Sequence, residues 1–262
     1  MKAIGSALWR LVALVVVATV ALQFYFLVRV AAMALIDPQS TTFQRSEAWR
    51  LLVEKHEIAW SQRWVDYASI SPNLKRAVIA SEDAGFVEHS GVEWEAVEKA
   101  WERNQRAEAR VEKLNEQLQR RAQKAAAARP DARPVVQRQA KVVGGSTITQ
   151  QLAKNLFLAG ERSLPRKAQE FVITLMLESL LSKQRILEIY LNNVEWGEGL
   201  FGAEAAALHY FRVPARSLGA IQAARLAVML PAPKRFEKRP HSAYVVGRAG
   251  TIAARMGAVE AP

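Results

Sequence analysis

Apolar positions along the chain fall into two regimes. From Leu11 to Val28 eighteen consecutive residues carry only two polar side chains, Thr19 and Gln23, and a second apolar stretch, Val30 to Ile36, follows Arg29. A run of this length matches the hydrocarbon core of a bilayer, so a transmembrane helix is expected over 11–36. Lys2 and Arg10 precede it, which by the positive-inside rule makes residues 1–10 a cytoplasmic tail and carries residues 37–262 to the far side. Arg29 can snorkel to the outer interface, and Trp9, Phe24, Tyr25 and Phe26 suit the interfacial belt. A cleaved signal peptide is the competing reading, but the run is longer than a signal's apolar region, and only Ala32 and Ala34 offer small residues nearby for cleavage.

Beyond Asp37 the period changes to that of globular helices, with few alternating β-branched runs and with Pro and Gly confined between segments. The pattern predicts a mostly α domain. One helix enters through Ser71-Pro72 and turns Leu74, Ala77, Val78 and Ser81 to one side. A second begins after Gly144-Gly145, a third runs from Pro165 through the apolar stretch 171–181, and a fourth carries Ile186, Ile189 and Tyr190. Further helices are expected over 203–210 and 218–229, and no internal repeat is visible.

Composition sharpens this in two ways. The 262 residues include no cysteine, which excludes a disulfide scaffold, a cysteine-ligated metal and a cysteine nucleophile. The net charge is +11, and the stretch 102–141 supplies much of it, with eleven Lys and Arg against five Asp and Glu. Ala107, Val111, Leu114 and Leu118 keep helical spacing there until AAAARPDARP breaks the helix. A solvated helix followed by a loop accounts for this insertion. A basic arm on anionic headgroups or an anionic polymer is the alternative. Nucleic acid is not an expected partner of an exported domain.

Four segments carry candidate chemistry. In Glu82-Asp83-Ala84-Gly85-Phe86-Val87-Glu88-His89 a carboxylate sits where a helix ends beside an aromatic and a histidine, a setting that can desolvate it into a useful base. Solvated charges and a backbone-satisfied histidine would give the same letters. In Gly144-Gly145-Ser146-Thr147-Ile148-Thr149-Gln150-Gln151 the glycines let the backbone approach a ligand, and Thr147 with Gln150 has capping-box spacing. The helix start favours anions, with Gln150 and Lys154 at i and i+4 aimed toward them. The spacing is not that of a nucleotide-binding P-loop. Arg162 and then Arg166-Lys167-Ala168-Gln169-Glu170 form either an intrahelical salt bridge or a cationic clamp with a carboxylate in it. The fourth segment, 183–193 with Gly197, reads as a packed amphipathic helix and turn.

The order and content of these segments, EDAGFVEHSG, GGSTITQQLAKN, RKAQE and KQRILEIYLNNVEWG, resemble glycosyltransferase family 51, the peptidoglycan polymerases, from about Ser71 to about Pro233. With no room before Pro262 for a transpeptidase domain, the chain looks like the monofunctional type. The resemblance implies a mostly helical, lysozyme-like fold with a small membrane-proximal jaw, set in the inner membrane with the catalytic domain in the periplasm. It implies that lipid II is joined to a growing glycan strand through β-1,4 linkages, with inversion and release of undecaprenyl diphosphate. Matched by motif, Glu82 is the general base and Glu170 the second carboxylate. Lys154, Arg162, Arg166, Lys167, Ser146 and Gln150 hold the diphosphate, and Asp83, Phe86 and His89 shape the site. No cofactor is required, although a divalent cation, Mg or Mn, could accompany the diphosphate, with Glu170 as its one candidate ligand. Cell-wall synthesis or division proteins are candidate partners, and Leu156, Phe157 and Leu158 offer a second membrane contact. The insertion 102–141 looks longer than the family's usual link. A lysozyme-like peptidoglycan-cleaving enzyme and a non-enzymatic cell-wall scaffold are the alternatives. The cationic clamp speaks against the first and the full glutamate motifs against the second.

Overall fold

A computed structural model describes residues 2–128, 145–158, 160 and 163–262. Eleven α-helices and three very short strands are present among them: α1 Lys2–Ala32, α2 Thr42–Lys55, β1 Ser61–Gln62, α3 Pro72–Glu82, α4 Trp94–Ala128, α5 Ile148–Phe157, α6 Leu164–Leu180, α7 Lys183–Asn193, β2 Glu195–Gly197, β3 Leu200–Phe201, α8 Ala203–Phe211, α9 Ala220–Met229, α10 Pro233–Phe236 and α11 Ala243–Arg255. The mostly helical expectation holds, and the six helices read from the globular pattern each have a counterpart. Helices α2, α10 and α11 and all three strands were not read from the sequence.

The chain divides into two compact units, residues 1–92 with 147–262, and residues 93–146. The second unit is dominated by α4, whose surface carries i,i+4 pairs such as Lys99–Glu95 and Arg106–Glu102. The helix extends as far as Ala128, so the alanine run belongs to it. The Pro-containing part of the insertion, with Gly144, lies outside the described residues.

In the first unit α3, α9 and α11 pack together, as do α5 with α6 and α7. Small side chains make the first group possible, since Ala77, Ala223, Ala224, Ala227 and Ala249 are all fully buried and let the helices approach closely. Local chemistry starts and stops these elements. Ser71 caps α3, whose first residue is Pro72, Thr41 and Gln44 form a capping box on α2, and Ser163 caps α6.

The strands form one small sheet in the order β1-β3-β2, parallel between β1 and β3 and antiparallel between β2 and β3. Gly199 turns the chain between β2 and β3 at φ +70°, and its carbonyl accepts the Ser61 amide at 2.9 Å. A Cβ there would overlap the Ala59 carbonyl oxygen. Gly199→Ala is therefore expected to lose at least about 2 kcal/mol of stability, through left-handed backbone strain plus the clash, as read by denaturant unfolding in detergent.

The long N-terminal helix contains the segment Ser6–Ala32, which is long and apolar enough to cross a membrane. Most of it is exposed, but Phe26, Val30 and Met33 are buried in the same core as α3, α5 and α7. Phe26 meets Phe157 of α5 edge to face at 5.3 Å. Arg185 of α7 then fastens the helix end. Its guanidinium donates to the Met33 carbonyl at 2.8 Å and pairs with Asp37 and Glu188, each at 2.7 Å. Arg29 instead donates to Tyr25 on its own helix at 3.0 Å.

Candidate active site

Helix α3 ends at Glu82, and Asp83 behind it turns into the protein. The two adjacent carboxylates have opposite environments. Asp83 is buried and doubly held: one oxygen lies 2.7 Å from His89 Nε2, and the other accepts the Ile148 amide, at the start of α5, at 2.9 Å. His89 Nδ1 accepts the Gly91 amide at 3.1 Å, which places the ring proton on Nε2, facing Asp83. The Gly91 carbonyl accepts from Thr147 Oγ1 at 2.6 Å. Two of the four motifs are thereby locked together, with Asp83 as the centre of the lock. The reading of Glu82 and Asp83 as a pair of solvated charges does not hold for Asp83.

Glu82 is half-buried at the surface of this assembly. Its Oε2 accepts from Gln151 Nε2 at 3.0 Å, while Oε1 has only a long contact from Ser81 Oγ at 3.4 Å. Burial raises its pKa, against the lowering effect of the hydrogen bonds from Gln151 and Ser81, and the neighbouring charge of Asp83 adds to the rise. The carbonyl end of α3 gives the carboxylate no relief. Gln151 is in turn oriented by Tyr190 of α7, whose fully buried hydroxyl donates to Gln151 Oε1 at 3.0 Å. Burial, with the charges of Glu82 and Asp83 behind it, pushes the Tyr190 hydroxyl well above the usual phenol range, so it remains a donor. Neither Gln151 nor Tyr190 is among the site residues expected from the sequence, where Tyr190 appears only as a marker of the fourth helix. Two successive glutamines look alike in one dimension, and only helix phase decides which one faces Glu82.

Because the Gln151 bond lowers the Glu82 pKa, Gln151→Leu is expected to move the acid limb of the pH–rate profile to higher pH and to cut the rate below that limb. The rate measured against pH for both proteins checks it. An acid limb moved to lower pH would contradict the account.

The capping box between Thr147 and Gln150 is present, and it changes the role of Gln150. The Gln150 side chain accepts the Thr147 amide at 3.2 Å, Thr147 Oγ1 accepts the Gln150 amide at 3.2 Å, and the residue is buried. With Asp83 on the Ile148 amide and the Thr147 carbonyl on the Gln151 amide, three of the first amides of α5 are used internally. Most of the helix start is thus satisfied by the protein rather than open to an anion. Ser146 falls in the unit of residues 93–146, and Arg162 lies outside the described residues.

One turn further along α5, Lys154 is on the same side as Gln151. It forms no ion pair among the described residues and is exposed, yet the surrounding protein desolvates its ammonium enough to lower its pKa. Glu170 works against that lowering, and Arg166 and Lys167 reinforce it, so all four charges feel one another. On α6 both oxygens of Glu170 are taken, one by Arg166 at 2.8 Å and the other by Lys167, and the carboxylate is buried. The i,i+4 and i,i+3 salt bridges therefore form, and the triad keeps one net positive charge beside Lys154. This donor set suits a carboxylate between two cations. With a cation already on each oxygen, Glu170 is a poor fit as a ligand for a divalent cation.

Phe86 is fully buried, with the Lys183 ammonium 4.6 Å from its ring centre. Lys183 also donates to the His89 carbonyl at 2.6 Å and to Glu178 at 2.9 Å. The fourth segment is structural in this sense: Lys183 braces the loop behind Glu82 and Arg185 braces the membrane helix. Leu156 is buried in the core and Phe157 packs on α1, so of the apolar trio only Phe157 and Leu158 remain partly exposed.

A family model described as Transglycosylase matches residues 52–121 and 125–257. Among similar proteins, the biosynthetic peptidoglycan transglycosylase of Burkholderia thailandensis is 51% identical over 245 residues, covering 94% of this chain and 84% of that protein. Its namesake from Paraburkholderia phytofirmans is 47% identical over 260 residues, covering 98% and 95%. That from Burkholderia vietnamiensis is 46% identical over 263 residues, covering 100% and 95%.

Proposed function

The chain belongs to the transglycosylase family, whose domain has the lysozyme-like glycosyltransferase fold, and from that premise we propose how its own residues polymerise lipid II. The single observation that carries the proposal is that α5 joins a desolvated carboxylate to a cationic cluster. Gln151 holds Glu82, and Lys154, one turn on, stands beside Arg166, Lys167 and Glu170.

Glu82 takes the proton from the 4-hydroxyl of the acceptor sugar through its freer oxygen, Oε1. The acceptor oxygen attacks the anomeric carbon of the donor from the face opposite the diphosphate. The bond to the diphosphate breaks as the new one forms, so the centre inverts and undecaprenyl diphosphate leaves with the bonding pair. Lys154, Arg166 and Lys167 meet the charge that develops on it, and Glu170 keeps the two α6 cations in place. A diphosphate so surrounded leaves without a strong general acid, and alignment of two bound sugars contributes through proximity. Asp83, His89 and Phe86 act by fixing the loop and the start of α5.

We also propose that α1 remains as a single-pass anchor in the inner membrane, with the N-terminus cytoplasmic and residues 37–262 periplasmic. Two observations support this. Lys2 and Arg10 stand before the apolar run, and Phe26, Val30 and Met33 fill part of the core, so cleavage at Ala32 or Ala34 would strip apolar surface from the domain.

The test against a cleaving enzyme uses one preparation and two substrates. Labelled lipid II is expected to give a ladder of glycan lengths, and purified sacculi are expected to stay intact. Solubilised sacculi with unreacted lipid II would overturn the reading.

A further inference from the structure

Of the two polar residues in the apolar run of α1, one is satisfied within its own helix and the other is not. Thr19 donates to the Val15 carbonyl at 2.8 Å and is exposed. Gln23 instead makes a reciprocal amide pair with Gln169 of α6, donating to its Oε1 at 2.7 Å and accepting from its Nε2 at 2.9 Å. Gln169 directly precedes Glu170 and lies one turn from Arg166. The pair thus joins the membrane helix to the helix that carries the diphosphate cluster. Gln23, Phe26, Val30 and Met33 follow each other at steps of three, four and three residues, the spacing of one helical stripe. The lower three pack by shape, which tolerates sliding. A two-point amide pair tolerates little.

Gln23 stands where the exposed apolar surface of α1 gives way to residues buried in the domain, Phe26, Val30 and Met33. There each glutamine amide supplies the donor and the acceptor that the other's own helix does not, so sliding one helix past the other would leave both amides unsatisfied. Val172 and Leu175 on α6 are exposed apolar residues, as a lipid-facing surface requires.

We propose that the Gln23–Gln169 pair sets the register of α6 against the membrane helix and so fixes the depth at which Arg166, Lys167 and Glu170 meet a lipid-linked diphosphate. Both glutamines are positioning residues, and the functional half of this inference rests on the lipid II reading above.

The chain has no cysteine, so a single Leu164→Cys at the 88% exposed start of α6 can carry a fluorophore. Its depth is read in vesicles by quenching with lipids labelled at known positions along the acyl chain, using the full-length protein. Gln23→Leu and Gln169→Leu are each expected to shift the label depth and to lower kcat on vesicle-embedded lipid II by three- to tenfold, with KM changed less than twofold. The double variant, which leaves no orphan amide and so guards against misfolding of the singles, is expected to be no worse than either one. Thr19→Leu is expected to match the wild type. Unchanged depth and kcat in both single variants would overturn the proposal, as would equal losses in Thr19→Leu. A depth shift in a protein whose wild type makes no glycan would support the register and overturn the lipid II reading instead.

Discussion

Glu82→Gln is expected to lower the rate of glycan formation by about 10²- to 10⁴-fold while leaving the fold intact. The size is that of a general base removed from a step in which the acceptor hydroxyl must lose its proton. The fold survives because Glu82 is only half-buried, and the new amide can still meet Gln151. Burial raises the Glu82 pKa, so the wild-type rate should fall on the acid side at a pH above that of an ordinary glutamate. The sign for stability follows from the same shift. A carboxyl whose folded pKa lies above its unfolded value opposes folding once it ionises, so removing its charge should leave stability at neutral pH unchanged or slightly higher. Rate and unfolding midpoint measured on the same variant separate the two effects. A loss of activity that tracks a loss of fold would contradict the assignment.

Lys154→Ala is expected to cost about 10²- to 10³-fold, carried mostly by kcat, because the charge it meets grows as the diphosphate departs. Among the described residues Lys154 differs from its cationic neighbours in having no carboxylate partner in an ion pair, whereas Arg166 and Lys167 are already bound to Glu170. Its positive charge is therefore the least compensated in the cluster. Substituting Arg166 or Lys167 singly should cost less than Lys154→Ala, since Glu170 keeps the remaining partner. A steady-state comparison of the three variants on lipid II checks the order, and an equal loss at all three positions would contradict it.

The parts of this site legible in the sequence were those that depend on spacing along one helix. The Thr147–Gln150 cap and the pairs of Arg166 and Lys167 with Glu170 involve residues three or four apart, a distance fixed by the helix itself. What escaped depends on which face of one element meets another. Asp83 is buried because His89, six residues on, and the Ile148 amide, 65 residues on, converge on it. Gln151 matters because Tyr190 approaches from α7, and Gln23 because α6 lies against the membrane helix. Helix α2 has a weak pattern, with Leu51 as its one fully buried apolar side chain, and strands of two or three residues are too short to show alternation.

The most direct measurement counts undecaprenyl diphosphate released against sugar linkages formed, on lipid II in vesicles, for the wild type, Glu82→Gln and Lys154→Ala. A base and a leaving-group clamp acting on one inverting transfer predict a one-to-one count for the wild type and both quantities falling together in the two variants. Linkages formed by Glu82→Gln at the wild-type rate, or diphosphate released without linkage, would contradict the account.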